Sequence, residues 1–121
     1  MKILVADDSK AMRMIVIRTL RQAGLGGHDV LEAENGKEAL SMARSESPDL
    51  ILSDWNMPEM TGIDFLMALR GSGSTIPFCF VTSEGSDDMR AQAEKAGALG
   101  LIAKPFTPET FADMLAPVVA A

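Results

Sequence analysis

Lys2-Ile3-Leu4-Val5-Ala6-Asp7-Asp8 is an apolar run that stops on two adjacent carboxylates, and Leu50-Ile51-Leu52-Ser53-Asp54 repeats the arrangement with one. A third run, Leu101-Ile102-Ala103, stops on Lys104. Short apolar runs bounded by polar residues read as buried strands. As neighbouring parallel strands, they would line up their carboxyl ends along one sheet edge, where open α/β folds place ligand crevices. Three carboxylates and one lysine gathered there suit a divalent metal and a phosphoryl group.

Outward from these runs, strand-like and amphipathic helical segments alternate five times, which argues for one α/β domain over residues 1–121 with a parallel sheet. Strands are expected near 2–6, 29–34, 49–53, 76–82 and 99–103. After the first, Met12, Ile15, Val16, Thr19, Leu20 and Ala23 recur at helical spacing, and Gly24, Gly26 and Gly27 break the helix. A second helix, near 37–45, carries Ala39, Leu40 and Ala43; a third, near 62–70, carries Phe65, Leu66 and Leu69. The fourth, near 87–96, is rich in alanine. The last starts with Thr107 as N-cap and Pro108 at the first helical position, with Phe111, Met114, Leu115 and Val118 as its apolar face.

The 121 residues are 47% apolar and 23% charged, a globular balance that argues against disorder. No apolar run approaches the roughly 18 residues of a membrane span, and the amino terminus lacks the layout of a secretory signal. A cytoplasmic protein is therefore expected. Cys79 is the only cysteine, which excludes an internal disulfide, and its apolar neighbours Phe78 and Phe80 predict a buried, inert thiol. The net charge of −6 disfavours nucleic acid and anionic membranes as partners, leaving proteins or small phosphorylated molecules.

Two like charges about 4 Å apart repel by about 4 kcal/mol at an effective dielectric near 20, so Asp7, Asp8 and Asp54 would be strained together without a cation. Mg²⁺, which takes carboxylate, water and phosphate oxygens, relieves that strain. Each feature alone has a plainer reading. Asp7-Asp8 is a possible helix cap with a solvated neighbour, and Asp54 a turn residue. Their joint occurrence at successive strand ends, with Lys104-Pro105 at another, favours a shared site.

The pair Asp7-Asp8, the run Asp54-Trp55-Asn56-Met57-Pro58-Glu59-Met60-Thr61-Gly62, Val81-Thr82-Ser83-Glu84 and Lys104-Pro105-Phe106 together resemble a CheY-like receiver domain of two-component response regulators. The resemblance spans essentially the whole chain, in order. It implies a flavodoxin-like (βα)5 three-layer sandwich with a parallel five-stranded sheet of order 2-1-3-4-5; CheY is itself a type example of that order, which therefore follows from the resemblance alone.

The same resemblance implies roles. Asp54 would accept a phosphoryl group from a histidine kinase or histidine phosphotransfer protein, or from a small donor such as acetyl phosphate. Asp8, Asp54 and the main-chain carbonyl of Asn56 would hold Mg²⁺, with Asp7 acting through a water. Lys104 would bind phosphoryl oxygens, and the Thr82 hydroxyl would move to meet them. Glu84 and the Asn56 side chain would border the phosphoryl group; the Lys104–Pro105 bond is permitted to be cis. The output face would be residues 87–119 of a monomer, with a flagellar motor switch as leading target and a phosphorelay or phosphate-sink role as the alternative. Met12 and Met14 lie on the helix that receivers present to kinases. Trp55 is expected to be a partly exposed reporter, and His28 a surface residue.

One position departs from the family. Receivers usually carry an aromatic ring three residues before the lysine, and Leu101 stands there in a chain without tyrosine. Either Leu101 repacks or the output surface works differently. Other chemistries fit less well. A haloacid dehalogenase-like phosphatase resembles receivers but needs a second aspartate where Asn56 stands, and a flavin or nucleotide binder needs a phosphate loop that no strand here precedes. A degenerate receiver is disfavoured by the intact Asp7, Asp8, Asp54, Thr82 and Lys104. The domain is thus expected to be a switch that catalyses only its own phosphorylation and dephosphorylation.

Overall fold

Each apolar run becomes a strand and each amphipathic run a helix. In the computed structural model, which describes residues 1–25 and 29–119, the order is β1 (Lys2–Ala6), α1 (Lys10–Leu20), β2 (Asp29–Ala33), α2 (Gly36–Glu46), β3 (Leu50–Ser53), α3 (Gly62–Gly71), β4 (Phe78–Thr82), α4 (Asp87–Lys95), β5 (Gly100–Ala103) and α5 (Pro108–Val119). All pairings are parallel, and the sheet order is β2-β1-β3-β4-β5. Ala6 lies opposite both Ala33 and Ser53, and Thr82 opposite Ala103, so the residues that follow β1, β3, β4 and β5 emerge along one edge.

Strand alternation splits the core into two apolar layers. Leu4, Ala6, Ile51, Phe78, Phe80 and Leu101 face α2, α3 and α4, meeting Ala39, Leu40, Ala43, Phe65, Leu66, Leu69 and Ala93. On the other side Ile3, Val5, Leu50, Leu52, Cys79, Val81 and Ile102 meet Val16 and Leu20 of α1 and Phe111 and Leu115 of α5. This is the three-layer sandwich. Cys79 is fully buried and burial pushes its thiol up to about 12, so it is inert.

Every helix starts on a side-chain oxygen that takes an orphan N–H. Ser9, Asn35, Thr61 and Ser86 accept from the third residue beyond them, and the Thr107 hydroxyl accepts from Thr110 at 3.2 Å, as its place before Pro108 predicts. The stripes of α2, α3 and α5 are buried as their spacing predicts, with Met114 and Val118 partly covered.

Two expectations for the first helix need correction. Ile15 is 44% exposed, because the buried stripe runs through Val16, Thr19 and Leu20, and Ile15 lies about 100° around the helix from Val16. The α-helix also ends at Leu20 and widens into a π-type turn, Arg21–Leu25, which Gly24 closes at φ 88. That conformation suits glycine. Gly26, Gly27 and His28 lie outside the described residues. No helix among the described residues is long and apolar enough to cross a membrane.

Candidate functional site

Main-chain bonds bring the ends of β1 and β3 together first. Asp7 N–H donates to Ala33 O at 3.0 Å and Asp54 N–H to Ala6 O at 2.9 Å, extending the sheet pattern one residue past the strands. The chain then turns at both places. Asp7 Oδ1 accepts the Ser9 N–H at 2.9 Å just before Ser9 caps α1, and Asp54 Oδ1 accepts the Trp55 N–H at 2.7 Å. One oxygen from each of Asp7, Asp8 and Asp54 consequently falls within 4.8 Å of the others. The strand-end reading of these three residues is correct.

The loop after Asp54 is held by two glycines. A Cβ at Gly62 would collide with the Asp54 carbonyl oxygen, and one at Gly36 with the Met60 carbonyl oxygen. The first closeness lets Gly62 N–H reach Trp55 O at 2.7 Å. Between them Met60 N–H bonds Pro58 O at 2.8 Å around Glu59, whose φ of 69 is uncommon for a residue with a side chain. Trp55 differs from expectation. It is 9% exposed, because its ring packs on Phe80 at 4.7 Å; Phe80 in turn meets Phe78 at 5.0 Å, and Phe78 meets Phe65 at 5.3 Å.

The site is electrostatically loaded. Burial pushes the Asp7 carboxyl up to about 6; the Ser9 N–H opposes that and the Asp54 charge adds to it. Burial also raises Asp54, against the Trp55 N–H, the Lys104 ammonium and the Thr82 hydroxyl. Asp7, Asp8 and Asp54 offer hard oxygen donors at cation-binding separation, and Mg²⁺ fits that donor set. Lys104 follows β5, and its charge acts on both Asp7 and Asp54. Its N–H bonds Thr82 O at 2.9 Å, and the Lys104–Pro105 peptide is cis.

Thr82 is fully buried at the end of β4, and its Oγ1 accepts the Glu84 N–H at 3.3 Å. Asn56 and Glu84 are exposed and meet at 3.4 Å, Nδ2 donating to Oε1. Leu101 is 2% exposed within the layer that faces α2, α3 and α4. Met14 is exposed on α1 and Met12 partly so.

Some residues that shape the edge were not singled out in the sequence. Arg13 donates through Nη1 to the Asp7 carbonyl at 2.7 Å and through Nε to Glu32 at 2.9 Å, clamping the turn that presents Asp7 and Asp8. A basic residue one turn inside α1, with an acid near the end of the adjacent β2, is the signal that would have found it. Gly36 carries none, and Gly62 was read only as the end of the run that follows Asp54, since the role of both appears only once loops pack.

Comparison with known proteins agrees with this geometry. The response regulator receiver domain family matches residues 3–116. The chain belongs to that family. A CheY homolog of Campylobacter jejuni, described as a chemotaxis protein, is 41% identical over 122 residues, covering 98% of this chain and 92% of that protein. The chemotaxis protein CheY of Pseudomonas aeruginosa is 40% identical over 117 residues, covering 95% and 93%. Among solved structures, the chemotaxis response regulator CheY4 of Vibrio cholerae superposes with a TM-score of 0.82 at 39% identity, covering 97% of each chain. This is therefore a CheY-type receiver domain, a two-component signalling module with the flavodoxin-like sheet order. As such it interacts with histidine kinases and with downstream targets.

Proposed function

We propose that this receiver is a phosphorylation switch. Asp54 accepts a phosphoryl group from the phosphohistidine of a histidine kinase or histidine phosphotransfer protein, or from a small donor such as acetyl phosphate, and the domain then changes a protein-binding surface. The observation that carries this reading is the meeting of Asp7, Asp8 and Asp54 within 4.8 Å, under the charge of Lys104.

In the transfer an oxygen of Asp54 forms the new P–O bond as the donor's P–N bond breaks, and the bond pair leaves with the imidazole. Lys104 neutralises the phosphoryl oxygens, and the Trp55 N–H holds the other Asp54 oxygen in place. Asp8, Asp54 and the Asn56 carbonyl would hold Mg²⁺, with Asp7 acting through a water, and the ion would supply charge neutralisation at the same edge. Arg13 keeps the Asp7 turn in position. Hydrolysis later returns the carboxylate and inorganic phosphate, so the domain turns over only its own phosphoryl group. The added charge of about −1.5 to −2 and its acceptor oxygens draw Thr82 and its loop inward. Glu84 and Asn56 border the group and tune its lifetime.

Chemotaxis or motility signalling in the cytoplasm is the output reading, with a flagellar motor switch protein as target; that the Campylobacter and Pseudomonas relatives are chemotaxis proteins supports the chemotaxis part of it. A phosphorelay intermediate or phosphate sink is the second reading. The absence of a ring at Leu101 favours it, since such a role needs no altered output face.

The test is intact mass after acetyl phosphate treatment, with and without Mg²⁺, for wild type and Asp54→Asn. A Mg²⁺-dependent gain of one phosphoryl group in wild type alone is expected. An equal gain in Asp54→Asn would move the acceptor elsewhere.

A further inference from the structure

A second line of contacts leads away from Asp54, toward α4 and β5. Thr82 Oγ1 holds the Glu84 N–H at 3.3 Å. Next along the chain, Gly85 lies against β5 so closely that a Cβ on it would stand 2.9 Å from the Ala103 Cβ, 3.4 Å from Arg90 Nη2 and 3.7 Å from Leu101 Cδ2. Arg90, in the first turn of α4, is otherwise exposed, yet its guanidinium folds back over this loop and Nη1 donates to the Leu101 carbonyl at 2.9 Å. No salt bridge among the described residues involves it. A flexible cation with an exposed stem has thus been given one ordered, charge-assisted bond, to the main chain of the strand beside the site.

We infer that Arg90 is a latch that straps the β4–α4 loop and the start of α4 onto β5 in the resting receiver, and that displacement of the loop at Thr82 releases it. The inference rests on the phosphorylation switch proposed above. Phosphoryl oxygens on Asp54 are acceptors, and the buried Thr82 hydroxyl beside Asp54 is a donor available to them. When that hydroxyl turns toward them, its contact with the Glu84 N–H is stretched and Glu84-Gly85 moves with it. The chain at Gly85 runs so close to Ala103 and the guanidinium that a single added carbon would reach both, so a shift of the loop toward them disturbs the Arg90 bond. The Arg90 bond reads Leu101 through its carbonyl, while the Leu101 side chain stays buried at 2% exposure.

Hydrogen exchange on the full chain tests the latch, reading segments 83–90 and 99–103. The first arm needs no phosphorylation. In Arg90→Ala both segments should exchange about tenfold faster or more, the factor expected for losing a charge-assisted hydrogen bond, while Arg90→Lys, which can still donate, stays near wild type. Gly85→Ala, whose Cβ would press on Ala103, should loosen the same segments and serves if Arg90→Ala is poorly folded. In the second arm acetyl phosphate and Mg²⁺ should move wild type toward the Arg90→Ala pattern. Arg90→Ala should take up the same phosphoryl mass with little further change. Resting Arg90→Ala with wild-type exchange overturns the latch, and so does a phosphorylation response in Arg90→Ala as large as in wild type. Absence of any mass gain in wild type would instead overturn the switch reading, while the resting comparison still decides whether Arg90 straps the loop.

Discussion

The edge of the sheet that carries the site has two halves, and they are built differently. At the ends of β1 and β3, Asp7 and Asp54 are held by short bonds from several sides, including Ala6, Ala33, Ser9 and Trp55, with Arg13 gripping the Asp7 carbonyl and Ser53 Oγ the Asp54 carbonyl at 2.8 Å. At the ends of β4 and β5 a 2.9 Å bond from Lys104 N–H to Thr82 O still joins the strands, but residues 83–88 are all exposed, and Glu84 is held by contacts of 3.3 and 3.4 Å with a strap from Arg90 beyond it. Costly convergence of like charge needs a rigid frame. A response to new charge needs a segment whose opening is inexpensive.

The largest effect should come from the rigid half. Gly62→Ala puts a methyl into the Asp54 carbonyl oxygen and against Trp55, neither of which can retreat without breaking the Gly62–Trp55 bond. A loss of about 3 kcal/mol or more is expected in urea unfolding, at the upper end for overpacking a fixed backbone. An unchanged midpoint would show that this loop is as yielding as its neighbour.

Next comes the charge on that frame. In metal-free protein the folded Asp7 carboxyl has been raised to about 6 from an ordinary 3.8, and Asp54 is raised as well. The folded state therefore holds these protons more tightly than the unfolded chain, so this contribution is fully present below the ordinary carboxylate range and is lost as pH rises through about 6. Asp7→Asn can keep the Ser9 bond without the charge. In chelator it should match wild type near pH 4 and exceed it above about pH 6 by about 1–2 kcal/mol, a figure reduced for screening at the open edge. Mg²⁺ should restore wild type and do less for the variant. A stability difference independent of pH would remove the strain from the account.

Much of the rigid half was legible in the sequence because its parts are local. An apolar run, an aspartate and a capping serine are adjacent in the chain, so Asp7, Asp8 and Asp54 could be read as strand ends without knowing the partners. The strand order could not, since every strand is apolar and parallel, and it came from resemblance. What stayed hidden is long-range: the Arg13–Asp7 clamp, Gly36 under Met60, and Trp55 covered by Phe80 from β4. The Arg90 strap is of the same kind, since nothing near Arg90 in sequence announces Leu101 as its partner. Ile15 was misplaced because an apolar residue beside a buried stripe satisfies the same periodicity as one within it.

Two chemically identical caps sharpen the comparison further. Ser9 accepts from Met12 at 3.2 Å in the rigid half, and Ser86 from Met89 at 3.1 Å in the other. Ser9→Ala should cost about 1 kcal/mol and lower the melting temperature by a few degrees. Ser86→Ala removes the same bond from a helix start that opens locally, so its effect should appear mainly as faster amide exchange over 87–90. Equal drops in melting temperature would show that both helix starts unfold only with the whole domain.

The smallest effect should be at Glu84, and its smallness is the point. The side chain reaches Asn56 at 3.4 Å with both residues exposed, a contact that water replaces at little cost. The bond that shapes the loop runs from the Glu84 main-chain N–H to Thr82 Oγ1 and survives truncation of the side chain. Glu84→Ala should therefore change unfolding free energy by less than about 0.5 kcal/mol, as for surface positions without buried partners. Paired with Asn56→Ala it should be additive to within about 0.5 kcal/mol, because the one bond the two side chains share is long and exposed to water. A coupling above about 1 kcal/mol would mean that Asn56 and Glu84 bind the two loops into one unit. The movable half would then begin beyond Glu84, at Gly85, where the Arg90–Leu101 bond straps the loop to β5.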